Sequence, residues 1–115
     1  MASEFDFAQL DAITGGDAEF EQEVLVEYLN SAPNDMVKIR GAIAAGDANA
    51  TSAAAHALKG ASATIGAKGF AAIALELEQA GKRGELTGAP QVLERLDAEF
   101  AGLESLLKER IAKAA

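Results

Sequence analysis

From Pro90 onward, Leu93, Leu96, Phe100, Leu103 and Leu107 follow one another at steps of three and four residues. On an α-helix of 3.6 residues per turn they fall along one side. A stripe of that length has to be covered, and near-antiparallel packing in a helix bundle covers it. The period is helical nearly throughout the rest of the chain, and no convincing run of alternating, β-branched residues reads as a strand. The fold class is therefore all-α.

Glycines and prolines divide the periodic stretches. Pro33 and Pro90 fall where helices would start, while glycines at 15, 16, 46, 66, 81, 84 and 88 fall where helices would stop or turn. This punctuation predicts a short leading helix over about 7–13 and five longer ones. The second runs over about 18–30, capped by Asp17, with Phe20, Val24, Leu25 and Tyr28 inward. The third starts at Ser31-Ala32-Pro33 and ends at Gly46, with Met36, Ile39 and Ile43 inward. The fourth covers about 48–65 behind an Asp47 cap, and the fifth about 68–82 with Phe70, Ile73, Ala74 and Leu77 inward; the sixth begins at Pro90. The expected architecture is an antiparallel up-and-down four-helix bundle over about 33–113, with the N-terminal helices at about 7–30 covering one end. A chain of 115 residues that is 50% hydrophobic builds one such core and one domain.

Composition excludes several classes of function. There is no cysteine, hence no disulfide framework and no thiolate chemistry, which allows a reducing compartment. The N-terminus MASEFDFAQLDAI carries acidic residues where a secretory signal would be basic, and no apolar run approaches the roughly 20 residues of a membrane span. A cytoplasmic protein without a membrane segment is expected. The net charge of −8, without a Lys/Arg cluster, argues against binding nucleic acid.

The chain has one histidine, His56, in the fourth predicted helix. At about 100° per residue, Asp47, Ala54, Leu58, Ala61 and Ile65 share one side and His56 points the other way. Its neighbours there are Ser52, Lys59, Gly60 and Ala63, with Ala53 at the flank. An imidazole among small residues, with one cation beside it, is an accessible nucleophile, although a lone histidine on an outward face is also what an ordinary surface residue looks like.

From His56 the chain reads HALKGASATIGA. This closely resembles the signature of the histidine-containing phosphotransfer (HPt) family: His, then Leu, Lys and Gly at the second, third and fourth positions after it, Ser at the sixth, and Gly-Ala at the tenth and eleventh. Gly15-Gly16-Asp17, Ala44-Ala45-Gly46-Asp47 and Leu77-Glu78 resemble further family elements, so the likeness covers most of the chain. The resemblance implies that His56 accepts a phosphoryl group from a receiver-domain aspartate, or from a kinase domain in trans, and passes it to a response-regulator aspartate. It implies receiver domains of hybrid sensor kinases and response regulators as partners, Mg²⁺ supplied by the receiver, no cofactor of the chain's own, and a monomer. A solvated imidazole, with a pKa near 6.5, is mostly neutral and nucleophilic at cytoplasmic pH, and phosphoryl transfer depends mainly on positioning and electrostatics.

The residues around His56 divide by role. Lys59 is placed to offset the charge of the phosphoryl group. Gly60 costs roughly 1 kcal/mol relative to Ala inside a helix, which close approach of a receiver would explain, as would tight helix packing; it lies only about 40° from His56. Ser52, Ala53, Gly60 and Ala63 are the expected docking surface. Leu75 is either part of it or a stray exposed leucine. Ser62 reads as structural, its hydroxyl bonding back to the Leu58 carbonyl, and Gly66 as a left-handed helix terminus. Gly69 is expected to loosen the first turn of the fifth helix.

Three other readings are weaker. A helical adaptor would leave His56 without a task, against the motif. A metalloenzyme would have one histidine and otherwise carboxylates for ligands. An autonomous histidine kinase would need a nucleotide-binding domain and a phosphate-cradling loop that the sequence lacks.

Overall fold

The computed structural model describes residues 4–114; the remaining residues of the expected domain, 1–3 and 115, lie outside the described residues. Five helices follow one another: α1 (Phe7–Thr14), α2 (Ala18–Ala44), α3 (Ala48–Ile65), α4 (Lys68–Arg83) and α5 (Ala89–Ala114). No strand occurs among the described residues. Helices α2 to α5 form the antiparallel four-helix bundle and α1 packs on α2 and α3. Among the described residues no helix is long and apolar enough to cross a membrane.

The main departure from the sequence reading is at Pro33, which lies inside α2 rather than at the start of a new helix. A proline there removes the bond from its own nitrogen to the Leu29 carbonyl, at a cost of about 3 kcal/mol. The helix continues because its buried stripe does: Leu25, Tyr28, Ala32, Met36, Ile39 and Ala42 keep three-and-four spacing straight through the proline. Side chains attend to the neighbouring carbonyls, with Ser31 Oγ donating to Tyr28 O and Asn34 Nδ2 to Asn30 O, both at 3.4 Å. The two expected N-terminal helices thus reduce to α1 alone, and α2, at 27 residues, spans the long dimension of the molecule, 42 Å.

Capping follows local chemistry. Asp6, Asp17 and Asp47 accept from the backbone N–H of Gln9, Phe20 and Ala50 at the starts of α1, α2 and α3. Gly66 ends α3 at φ +101°, and a Cβ there would run into the Asp6 carbonyl, because the segment before α1 crosses this corner: Asp6 N donates to Gly66 O at 2.7 Å. The same segment supplies an acceptor to the first turn of α4, from Glu4 O to Gly69 N, so Gly69 leaves that turn tied rather than loose.

The inward faces of α4 and α5 are as predicted, with Phe70, Ile73, Ala74 and Leu77 meeting Leu93, Leu96, Phe100, Leu103 and Leu107. Phe20, expected inside, is exposed at the first turn of α2, and Val24 is half-buried. In α3 the buried face is Thr51, Ala55, Leu58, Ser62 and Ile65, about 50° round the helix from the predicted one; Ala54 and Ala61 are half-buried and Asp47 is exposed. With so many alanines, apolar periodicity has little grip there, and hydroxyl groups decide the orientation.

Ser62 is fully buried, and its Oγ lies 2.6 Å from the Tyr28 hydroxyl of α2, not on the Leu58 carbonyl. The back-bond expected of Ser62 is made by its neighbours instead, Thr51 to Asp47 O and Thr64 to Gly60 O. Burial pushes the Tyr28 hydroxyl above the ordinary tyrosine range, with the Ser62 bond working the other way. Ser62→Ala strands that hydroxyl and should cost about 1–3 kcal/mol in urea unfolding, whereas adding Tyr28→Phe should restore part of the loss. Additive losses in the double variant would mean that the two groups are not coupled.

Candidate functional site

The arrangement around His56 starts from the α3–α4 hairpin. The two helices are antiparallel and joined by Gly66 and Ala67, so residues equally distant from that turn stand level. Ser52 and Gly81 are one such pair, and a Cβ on Gly81 would lie 2.6 Å from Ala48 O and 2.7 Å from Ser52 N. The missing side chain lets the helices close to backbone contact. His56 and Glu78, one residue off level, face each other about one turn nearer the loop.

Glu78 is 2% exposed and the His56 side chain 67% exposed, and the carboxylate reaches out between the helices to the ring: Oε2 is 2.9 Å from His56 Nδ1. Two ammonium groups hold the same carboxylate. Lys59 Nζ stands 2.8 Å from Oε1, and Lys82 Nζ, one turn along α4, 3.2 Å from Oε2. The Lys59 ammonium, ahead of Lys82 and His56, holds the Glu78 carboxyl down to about 2 against the opposing effect of burial. The clamp is intact above the ordinary carboxylate range near 4.5 and is lost as pH falls toward 2.

An ionised carboxylate can only accept. Nδ1 of His56 is therefore the N–H that donates to it, and in the neutral ring Nε2 carries the lone pair. The face around His56 is built of short side chains: Ala53, Gly60 and Ala63 are exposed, and a Cβ on Gly60 would meet nothing within 4 Å. Gly60 is not a packing glycine; Gly81 is. Ser52 is half-buried in the α3–α4 seam and contributes only its edge. Leu75 is 37% exposed and lies about 60° round α4 from Glu78, on the same flank as Lys82. On the other side of His56, Ala53 and Ala57 border a shallow groove between α2 and α3 floored by Ala42, Ala50 and Ala54.

Lys59 stands beside the histidine as expected, but it is a half-buried, ion-paired residue rather than a free outer cation. Glu78 entered the sequence reading only as part of the Leu77-Glu78 element, and neither it nor Lys82 was expected at the site. A signal was present, since Glu78 is an acidic residue on the apolar stripe of α4, between Leu77 and Gly81, and eleven residues past Ala67 where His56 is ten before Gly66.

Residues 23–106 match the model of the Hpt domain. A comparison with curated proteins finds no match. Among solved structures, the chain is similar to histidine-containing phosphotransfer protein B of Pseudomonas aeruginosa PAO1, at 29% identity and a TM-score of 0.91 over 98% of both chains. It shares its fold with the HPT domain of a sensor hybrid histidine kinase from Shewanella, at 22% identity and a TM-score of 0.77 over 95% of this chain and 94% of that one. A putative histidine-containing phosphotransfer protein from rice has the same fold, at 20% identity and a TM-score of 0.83 over 96% of this chain and 81% of that one. The domain match covers most of the bundle and includes His56, so the chain belongs to the Hpt domain family and has a histidine phosphotransfer role in a phosphorelay.

Proposed function

We propose that His56 is the phosphoryl carrier, accepting the group at Nε2 from the aspartyl phosphate of a receiver domain, or from a kinase domain in trans, and handing it to a response-regulator aspartate. The observation that carries this reading is the Nδ1–Glu78 bond: it fixes one tautomer and leaves the Nε2 lone pair on an exposed ring. The lone pair attacks phosphorus, the phosphorus–oxygen bond of the aspartyl phosphate breaks, and the aspartate leaves as a carboxylate; the second transfer reverses these changes. Transfer of this kind is mainly a matter of holding the reacting atoms in line and offsetting charge. The receiver brings the Mg²⁺.

Lys59 and Lys82 share one carboxylate between two ammonium groups, so positive charge is in reserve beside the ring for an incoming dianion. Ala53, Gly60 and Ala63, with the edge of Ser52 on α3 and Leu75 on α4, form the docking surface, their small size letting the receiver's rim come close. Acid-labile phosphate on the chain after incubation with a phosphorylated receiver tests the reading, and its absence with every receiver of the source organism would refute it.

Lys59→Ala should keep the bundle, since Lys82 and His56 still hold Glu78, and should slow transfer roughly 5- to 30-fold, corresponding to about 1–2 kcal/mol of lost charge compensation. Single-turnover transfer to a receiver at low and moderate salt measures it. Unchanged rates would remove Lys59 from the chemistry.

A further inference from the structure

Resting on that reading, we propose that Glu78 keeps the Nδ1 proton on His56 while Nε2 carries the phosphoryl group, so that the group is held on a protonated ring and no proton enters or leaves the imidazole in either direction of transfer. Glu78 is thus a positioning residue that also sets how readily the phosphoryl group departs.

The bonding requires a choice. When the Nε2 lone pair of a ring with Nδ1–H forms the bond to phosphorus, the product is an N-phosphoimidazolium with its positive charge spread over both nitrogens. Left in water, such a ring can lose the Nδ1 proton. Breaking the phosphorus–nitrogen bond from that deprotonated form expels an imidazolide anion, a far stronger base and poorer leaving group than neutral imidazole. From the protonated form, the electron pair returns to Nε2 and neutral imidazole is regenerated. Whatever holds the proton on Nδ1 therefore keeps the phosphoryl group transferable.

Glu78 has the geometry to do so. Its Oε2 lies 2.9 Å from Nδ1 and its carboxylate is buried beneath a mostly exposed ring, so the attraction is screened from one side only. The groups touching it are His56 and Lys59 from α3 and Lys82 from α4. The other helix packed on α4, α5, places Arg95 on Glu76, about 160° round α4 from Glu78, so it does not compete.

Charge balance points the same way. With a neutral ring, one carboxylate faces two ammonium groups and the cluster carries one net positive charge. The phosphoryl dianion together with a protonated ring brings it to neutrality. Loss of the ring proton would leave it negative, in a chain whose net charge is already −8.

The test uses the full chain labelled with ¹⁵N in its histidine and phosphorylated with phosphoramidate or a phosphorylated receiver. Phosphorus coupling to Nε2 reports the carrier, and the Nδ1 shift reports the proton. In the phosphorylated wild-type chain Nδ1 should stay protonated to higher pH than in free N-phosphohistidine, and Glu78→Gln, which preserves size and an acceptor but not charge, should lower that midpoint by about one pH unit. Transfer from phosphorylated Glu78→Gln should be about tenfold slower at mildly alkaline pH and recover as pH is lowered. A structural role alone would slow transfer equally at every pH and leave the midpoint in place, which would overturn the proposal. If Glu78→Gln does not fold, a wild-type midpoint no higher than that of free N-phosphohistidine overturns it equally. If no phosphorus coupling to His56 develops with either donor, the phosphotransfer reading fails and the proposal with it; normal coupling with an unmoved midpoint sinks the proposal alone.

Discussion

His56→Gln is expected to abolish acid-labile phosphorylation of the chain entirely while leaving the bundle as stable as before. No second histidine can substitute. The His56 side chain is 67% exposed and its one polar contact among the described residues is with Glu78, so its removal empties no core space. A glutamine amide can still donate toward Glu78. Unfolding free energy should stay within about 0.5 kcal/mol of wild type, as for surface substitutions in general. The measurement is transfer of labelled phosphate from a phosphorylated receiver, followed by acid treatment. Acid-labile label on the variant would place the phosphoryl group on another residue.

Gly60→Arg should separate folding from transfer. A side chain at position 60 starts into open space, with no atom within 4 Å of its Cβ, and arginine suits a helix interior better than glycine. Thermal unfolding should therefore match or slightly exceed wild type. The same side chain projects one turn from the imidazole, across the proposed docking surface for a receiver. Transfer should fall on the order of 100-fold, roughly 2.7 kcal/mol of transition-state stabilisation, with Gly60→Ala close to wild type. Wild-type transfer by the arginine variant would mean that partners approach from another side of His56, and unfolding would contradict the open environment of Gly60.

The large apolar stripes of α4 and α5 and much of the backbone chemistry were legible in the sequence, whereas Phe20 and Val24 at the start of α2 were placed too deep. The stripes of α4 and α5, the Asp17 and Asp47 caps and the left-handed Gly66 terminus all follow from residue type and spacing. Pro33 misled because a local rule met a longer pattern: the helix-breaking residue sits within a stripe from Leu25 to Ala42 whose burial outweighs one lost hydrogen bond. On α3, alanines made nearly every face look eligible for the core, and the Tyr28–Ser62 pair, which orients the helix, involves residues 34 apart. The histidine and its small-residue surroundings could be read directly. Its partner could not be read from α3 alone, because Glu78 arrives from α4 and matters only once the hairpin is paired through Gly81. Lys59 changed meaning for the same reason.

Pro33 has a further consequence. In outline α2 is one rod, yet its ladder of backbone hydrogen bonds lacks one rung near the middle, so the side chains buried beneath carry more of the continuity there. The second half is tied to α5 by the paired contacts of Arg40 with Asp97, and amide exchange is expected to be faster there than in the half that lies against α1, a difference hydrogen exchange would measure. That second half also forms one wall of the alanine groove bordering His56. A local opening there would alter the shape of the surface beside the imidazole while Glu78, Lys59 and Lys82, fixed in the α3–α4 seam, stayed in register.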